Sequence, residues 1–139
     1  MITNRFITED DYPLLAQCIM LDEYHSRDTF PGFFYTDGTM CTVYEDETGP
    51  ILFLRGKPII HEKVGMIQLD IQFVDNSNGK RNLKAMTEGF PELETKAREN
   101  QWAGFFFTST SPLLRKFCVK RLGFKEHGDE LLVKIFQET

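Results

Sequence analysis

The clearest pattern in the chain lies at residues 65–74, where Ile67, Leu69, Ile71 and Phe73 alternate with Gln68, Asp70 and Gln72. A period of two sends successive side chains to opposite faces, so the segment predicts a strand with one apolar and one polar face. Residues 40–46 (MCTVYED) and 50–60 (PILFLRGKPII) read as the two strands before it, and residues 2–7 (ITNRFI) as a short opening strand. Residues 102–108 (WAGFFFT) read as a buried strand, and two closing strands fall near 124–127 and 130–136.

Three segments repeat at helical spacing instead. Thr8 starts the first, with the capping-box pattern Thr8-x-x-Asp11 and with Glu9, Asp10 and Asp11 in the first turn. Tyr12, Leu15, Cys18, Ile19 and Leu21 give it one apolar stripe. The second runs from about 80 to 100, with Leu83, Met86, Phe90, Leu93 and Ala97 on one side. Gly89 and Pro91 interrupt it and predict a kink or two short helices. The third covers 112–122, opened by Ser111 and Pro112 and stopped by Gly123. An irregular, aromatic connection (SRDTFPGFFYTDGT, 26–39) and a polar turn (DNSNGKRN, 75–82) complete the chain.

The predicted order is β-α-loop-β-β-β-α-β-α-β-β. A mixed α/β (α+β) architecture accommodates it, with a central twisted sheet of six or seven strands flanked by helices on both faces. Repeats, low-complexity tracts and Ser/Gly linkers are absent from the sequence, which predicts one domain over residues 1–139.

Composition refines this picture. The 139 residues are 41% hydrophobic and 27% charged, the balance of a globular and not a disordered chain. Apolar runs are too short for a membrane helix, and the start MITNRFITEDD reads as too acidic and polar for a signal peptide. Cys18, Cys41 and Cys118 stand isolated and odd in number, which points away from a disulfide framework and toward a reducing, cytoplasmic setting. The net charge of −5 hides an asymmetry: residues 1–50 carry ten acids and two bases, while the remainder carries eleven acids and fourteen bases. An acidic whole does not favour general nucleic-acid binding, whereas a local anion site in the second part stays open. His25, His61 and His127 show no metal-ligand spacing, so no metal is expected. Ser109 and Ser111 stand outside any nucleophile-elbow context.

Two segments carry a resemblance. NRFITEDDYPLLAQCI resembles the opening strand and first helix of the GCN5-related N-acetyltransferase (GNAT) superfamily, where a D-x-P-x-L stretch is common. SPLLRKFCVKRLGFKE resembles its last helix, which commonly ends in Y-E-K-L-G-F. The resemblance implies the GNAT acyl-CoA N-acyltransferase fold and acetyl-CoA as acyl donor. It also implies a Q/R-x-x-G-x-G/A loop after the fourth strand, whose backbone N–H groups cradle the pyrophosphate. Anchored on Gly79, this chain reads Asn76-x-x-Gly79-x-Arg81, departing at both ends, with Lys80, Arg81 and Lys84 supplying positive charge. By the same resemblance the backbone of Phe73 and Val74 pairs with pantetheine, and Asn76, Asn78, Gly79, Lys80, Arg81 and Asn82 hold the pyrophosphate. Asp70 takes the place of the family's general base. The tyrosine that protonates the leaving thiolate in many members is replaced here by Val119. Phe30, Phe33, Phe34 and Tyr35 either line an acceptor pocket or pack as a lid.

Two readings follow. One is an N-acetyltransferase that moves an acetyl group directly to an amine of a small molecule or protein. The other is a catalytically silent module of the same fold, binding a protein partner alone or in a larger or homo-oligomeric assembly. Short phage proteins of this fold, virion-associated, are a precedent for the second.

Overall fold

The computed structural model describes residues 1–22, 31–35 and 39–136, and the side chains of Pro31, Phe33 and His61 are not among the described groups. His25 and Phe30, singled out above, lie outside the described residues, as do the side chains of Phe33 and His61. Among the described residues seven strands form one sheet: β1 (Thr3–Phe6), β2 (Met40–Asp46), β3 (Gly49–His61), β4 (Val64–Phe73), β5 (Gly104–Thr108), β6 (Lys125–His127) and β7 (Leu131–Ile135). Their order across the sheet is β1-β2-β3-β4-β5-β7-β6. All neighbours pair antiparallel except β4 and β5, which are parallel and joined through a helix, as a parallel crossover requires.

The helices are α1 (Tyr12–Leu21), α2 (Gly79–Glu99) and α3 (Pro112–Arg121). A tight 3-10 turn, Glu9–Asp11, stands where the sequence predicted the first turn of a longer first helix. Asp11 pins it, accepting the Thr8 N–H at 2.8 Å and a two-pronged pair of hydrogen bonds from Arg5, each 2.8 Å. The Arg5 guanidinium thereby holds the Asp11 carboxyl below its ordinary range.

α2 corrects the expectation of a kink or two short helices, because it runs unbroken through Gly89 and Pro91. The buried stripe Asn82, Ala85, Met86, Gly89, Phe90 and Ala97 recurs at three- and four-residue intervals, and packing that whole face outweighs the hydrogen bond Pro91 cannot donate. Gly89 is a seat for a ring and not a break: a Cβ there would fall 2.5 Å from Tyr44 Cε1.

The two faces of the sheet are covered differently. α2 and the C-terminal part of the chain close over Leu52, Leu54, Leu69, Ile71, Phe105, Phe107 and Leu132. The phenylalanines build this core: Phe90 packs edge-on against Phe105 and Phe124, and Phe107 against Phe124. The opposite face carries a smaller cluster of Leu15, Ile19, Phe34, Cys41, Val43 and Phe53, over which α1 and the 31–35 turn lie. Phe34 is fully buried there, and Tyr35 stacks on Tyr12 at 3.8 Å between ring centres.

Candidate functional site

The β3–β4 register fixes what β4 offers on each side. Val74 N–H donates to Ile51 O at 2.9 Å, and Leu52 stands opposite Phe73. In an antiparallel ladder such bonds recur at every second residue, so Gln72, Asp70 and Gln68 turn their backbone toward β3. Phe73, Ile71 and Leu69 therefore turn theirs toward β5.

β5 meets that edge only at its start. Met66, Ile67 and Gln68 pair with Gly104, Phe105 and Phe106, and the pairing stops there. β5 instead follows β7, staying in register from Gly104↔Ile135 to Thr108↔Leu131. Gly104 permits that contact, since a Cβ on it would lie 2.1 Å from Lys134 O. The two central strands thus part after Gln68 and Phe106, leaving a wedge bordered by the backbone of Leu69, Ile71 and Phe73. Half-buried Phe73, Leu114 and Phe117 pack against the main core.

α2 begins just beyond the end of β4. Asn78 caps it, its side-chain oxygen accepting Arg81 N–H at 3.3 Å. The N–H groups of its first turn have no carbonyl four residues back, so Gly79 and Lys80 present donors there, reinforced by the helix dipole. A Cβ on Gly79 would come 3.8 Å from Leu113 Cδ2, which brings the N-termini of α2 and α3 close together. Lys80 and Lys84 are exposed.

The remaining residues named from the sequence divide by what they touch. Phe73 turns its backbone toward the wedge, whereas the Val74 N–H is committed to β3. Arg81 reaches backward: Nε and Nη2 donate to Asp46 at 2.9 and 2.7 Å, and Nη2 also reaches Thr48 Oγ1 and Gly49 O. The guanidinium clamps the β2–β3 turn to α2 and holds the Asp46 carboxyl far below its usual range. Asn82 is buried and donates to Asp75 O at 2.9 Å, closing the β4–α2 turn. Asn76 donates to Asp22 at 3.0 Å. Asp70 shares the polar face of β4 with Gln68 and Gln72, and accepts from Arg55 Nη1 at 2.7 Å. Val119 is exposed on α3 and borders a surface groove with Arg115, Lys116 and Lys120. Cys118 is fully buried, and burial pushes its thiol up to about 12.

Two residues not singled out from the sequence occupy the polar face. Arg55, 3% exposed, opposes Asp70 across the β3–β4 ladder. Asp22, also 3% exposed, ends α1 and accepts from Gln72 Nε2 at 2.8 Å as well as from Asn76. A carboxylate at a helix C-terminus is disfavoured by the dipole, which is the sequence signal that marks Asp22 as needing partners. Beside it lies a pocket of about 350 Å³ between α1 and the β4–α2 turn. Among the described residues, no three His, Cys, Asp or Glu side chains cluster to hold a metal ion, and no helix is long and apolar enough to cross a membrane.

A mixed seven-stranded sheet with parting central parallel strands and a helix N-terminus at the mouth of the wedge defines the GNAT acyltransferase fold. Solved structures carry the same arrangement over nearly the whole chain. An acetyltransferase of the GNAT family from Staphylococcus aureus Mu50 superposes with a TM-score of 0.72 at 14% identity, covering 99% of this chain and 100% of that one. The aminoglycoside acetyltransferase AAC(6')-Ib, solved with coenzyme A and kanamycin, gives 0.71 at 16% identity, over 97% and 95%. A domain from Methanocaldococcus jannaschii DSM 2661 gives 0.72 at 11%, over 98% and 99%. No protein-family model and no curated protein sequence matches the chain. At these identities the likeness is one of fold, and the chain has the GNAT fold.

Proposed function

We propose that the protein is an acyl-CoA-dependent N-acetyltransferase that transfers the acetyl group directly to an amine. The observation that carries this reading is the parting of β4 from β5 after Gln68 and Phe106. It turns the Leu69 backbone and the Phe73 N–H away from β5 and toward a wedge, where an extended amide-bearing chain can pair, and that edge runs to the N-terminus of α2, where an anion is favoured. Several of the solved neighbours are acetyltransferases, and AAC(6')-Ib was solved with coenzyme A bound.

The chain's own groups divide the labour. The Leu69 backbone and the Phe73 N–H would position the pantetheine, and the first-turn N–H groups of Gly79 and Lys80 the pyrophosphate, with Lys80 and Lys84 adding charge. Arg81, Asn82 and Asn76 support the turn instead of reaching toward phosphate. An acyl thioester brings an activated carbonyl, so attack by a neutral amine needs alignment more than strong acid–base groups. A carboxylate or a water held on the polar face of β4, where Asp70 and Asp22 stand, would receive the amine proton. With Val119 in place of a tyrosine, the thiolate leaves into solvent and takes its proton there.

Calorimetry with acetyl-CoA tests the reading: a saturable heat at one site per chain is expected, and no heat at millimolar ligand would refute it. The second reading, a silent module of the same fold, draws on Val119 and the Arg81–Asp46 clamp. Coenzyme A binding without acetyl transfer to any of a panel of amines would select it.

A further inference from the structure

The sheet ends at β1, whose outer edge meets no further strand among the described residues. Ile7, just past that strand, donates its N–H to Cys41 O at 3.0 Å, so by alternation Arg5 and Thr3 also turn their backbone to β2. The Asn4 backbone and the Phe6 N–H therefore face outward. Beside this edge, on the α2 face, lies a groove of about 420 Å³. Phe6, Met40 and Tyr44 line its floor, Leu93 its wall, and the ion-paired Glu92 and Lys96 its rim. Phe6 and Met40 are 65% and 59% exposed. Tyr44 is only 5% exposed, its ring seated over Gly89, yet its hydroxyl has no hydrogen-bond partner among the described residues. Burial pushes that phenol up to about 12, and Glu92 on the rim adds to the shift, which sets the hydroxyl on the groove side of the ring and keeps it protonated. A buried hydroxyl without a partner is costly, and an acceptor brought by a ligand relieves it. The opposite flank of β1 is acidic: Arg5 is bound there to Asp11 and Glu45, and exposed Glu9 and Asp10 follow the strand.

We infer that the β1 edge and this groove together bind an extended peptide that turns a glutamine and apolar side chains to the groove and basic side chains to the acidic flank. Its backbone would bond to the Asn4 N–H and C=O and to the Phe6 N–H, extending the sheet by one strand. Its apolar side chains would lie on Phe6, Met40 and Leu93. The glutamine oxygen would accept from the Tyr44 hydroxyl while its N–H groups donate to Glu92; a glutamate there meets the Glu92 charge. Lysines on the other face would meet Glu9, Asp10 and Glu45. A second copy is disfavoured as the occupant, because β1 paired with β1 sets two acidic flanks side by side. The inference goes beyond the transferase reading and does not depend on it, since β2 and β3 stand between β1 and the wedge strand β4.

The test is an amide and methyl NMR titration with the capped hexapeptide KLKQKL at neutral pH and low salt. The amides of Asn4 and Phe6 and the methyls of Leu93 are expected to shift. Binding is expected to be about tenfold tighter than that of the capped peptide ELEQEL, which keeps the groove-facing residues and reverses the charge. KLKQKL methylated on every backbone nitrogen cannot donate to Asn4 O and is expected to lose about tenfold. Tyr44→Phe keeps the ring and removes the hydroxyl. It is expected to bind about threefold more weakly while its urea midpoint stays unchanged, because the hydroxyl has no partner in the free protein to lose. Exposed Phe6→Ala serves as a second variant, with an expected loss of about fivefold. No shifts at millimolar peptide, shifts away from β1, equal affinity for the two charge patterns, full affinity of the methylated peptide, or unchanged affinity in both variants overturns the inference. Broadening of the Asn4 and Phe6 amides that grows with protein concentration, before peptide is added, would assign the edge to a second copy and overturn it as well.

Discussion

β4 is held differently along its two halves. From Met66 to Gln68 it is bonded to β3 on one side and to β5 on the other; from Leu69 to Phe73 the pairing with β3 continues and that with β5 has ended. The first half closes the sheet and shares the main core with β5. The second half gives up its ladder bonds to β5 and turns the Leu69 backbone and the Phe73 N–H toward a wedge. One strand therefore serves two purposes, and the change from one to the other falls at a single residue step. The difference teaches that a sheet can open one strand edge without a special side chain, by letting a neighbour depart.

The largest expected effect comes from attacking the closed half. Phe105 is fully buried, pairs with Ile67, and packs edge-on against Phe90 and Phe136. Phe105→Ala is expected to cost about 3–5 kcal/mol in urea unfolding. A loss below about 1 kcal/mol would mean that the closed half does not carry the stability assigned to it.

A smaller effect is expected on the polar face of the open half. Arg55→Met leaves the Asp70 carboxylate without its guanidinium and is expected to cost about 3 kcal/mol. Asp70 keeps 23% of its side chain exposed, which places the effect at the lower end for a buried pair. Adding Asp70→Leu is expected to recover most of the loss. If the double variant is no more stable than the single one, the pair is not what holds this face.

The acid limb of stability sharpens the contrast further, because its carboxylates sit away from both halves of β4. Asp46 is held low first by its hydrogen bond from Arg81, and Asp11 first by its hydrogen bond from Arg5. A carboxyl depressed in the folded state contributes stability that is complete above its unfolded pKa, about 3.9 for Asp. That stability fades as the pH falls through the folded value, because the unfolded chain takes up protons first. Melting temperature should therefore hold down to about pH 4 and fall below it. Asp46→Asn should flatten the fall, and an unchanged acid limb in that variant would refute the clamp.

Much of this was legible in the residues. Alternation alone gave β4 its two faces, whereas the pairing of Arg55 with Asp70 came only with the β3–β4 register. The aromatic load went where strands and the core needed it. Pro91 misled because a local rule about one missing donor was set against a whole buried helix face, and the face prevailed. Arg81 looked like a phosphate ligand because charge near a helix N-terminus suggests one; its true partner, Asp46, lies thirty-five residues earlier, on a strand that only the folded sheet brings close. Asp22 depends likewise on Gln72 and Asn76, fifty and more residues away. Long-range polar pairing has no period, and periodicity could not show it.

The central claim, that the open half of β4 is the acyl-CoA edge, is tested most directly by a backbone amide NMR titration with coenzyme A. Shifts are predicted at Leu69, Ile71, Phe73, Gly79 and Lys80, with Ile67 and Phe105 in the closed half unmoved. No shifts at millimolar coenzyme A, or shifts confined to other surfaces, would contradict it.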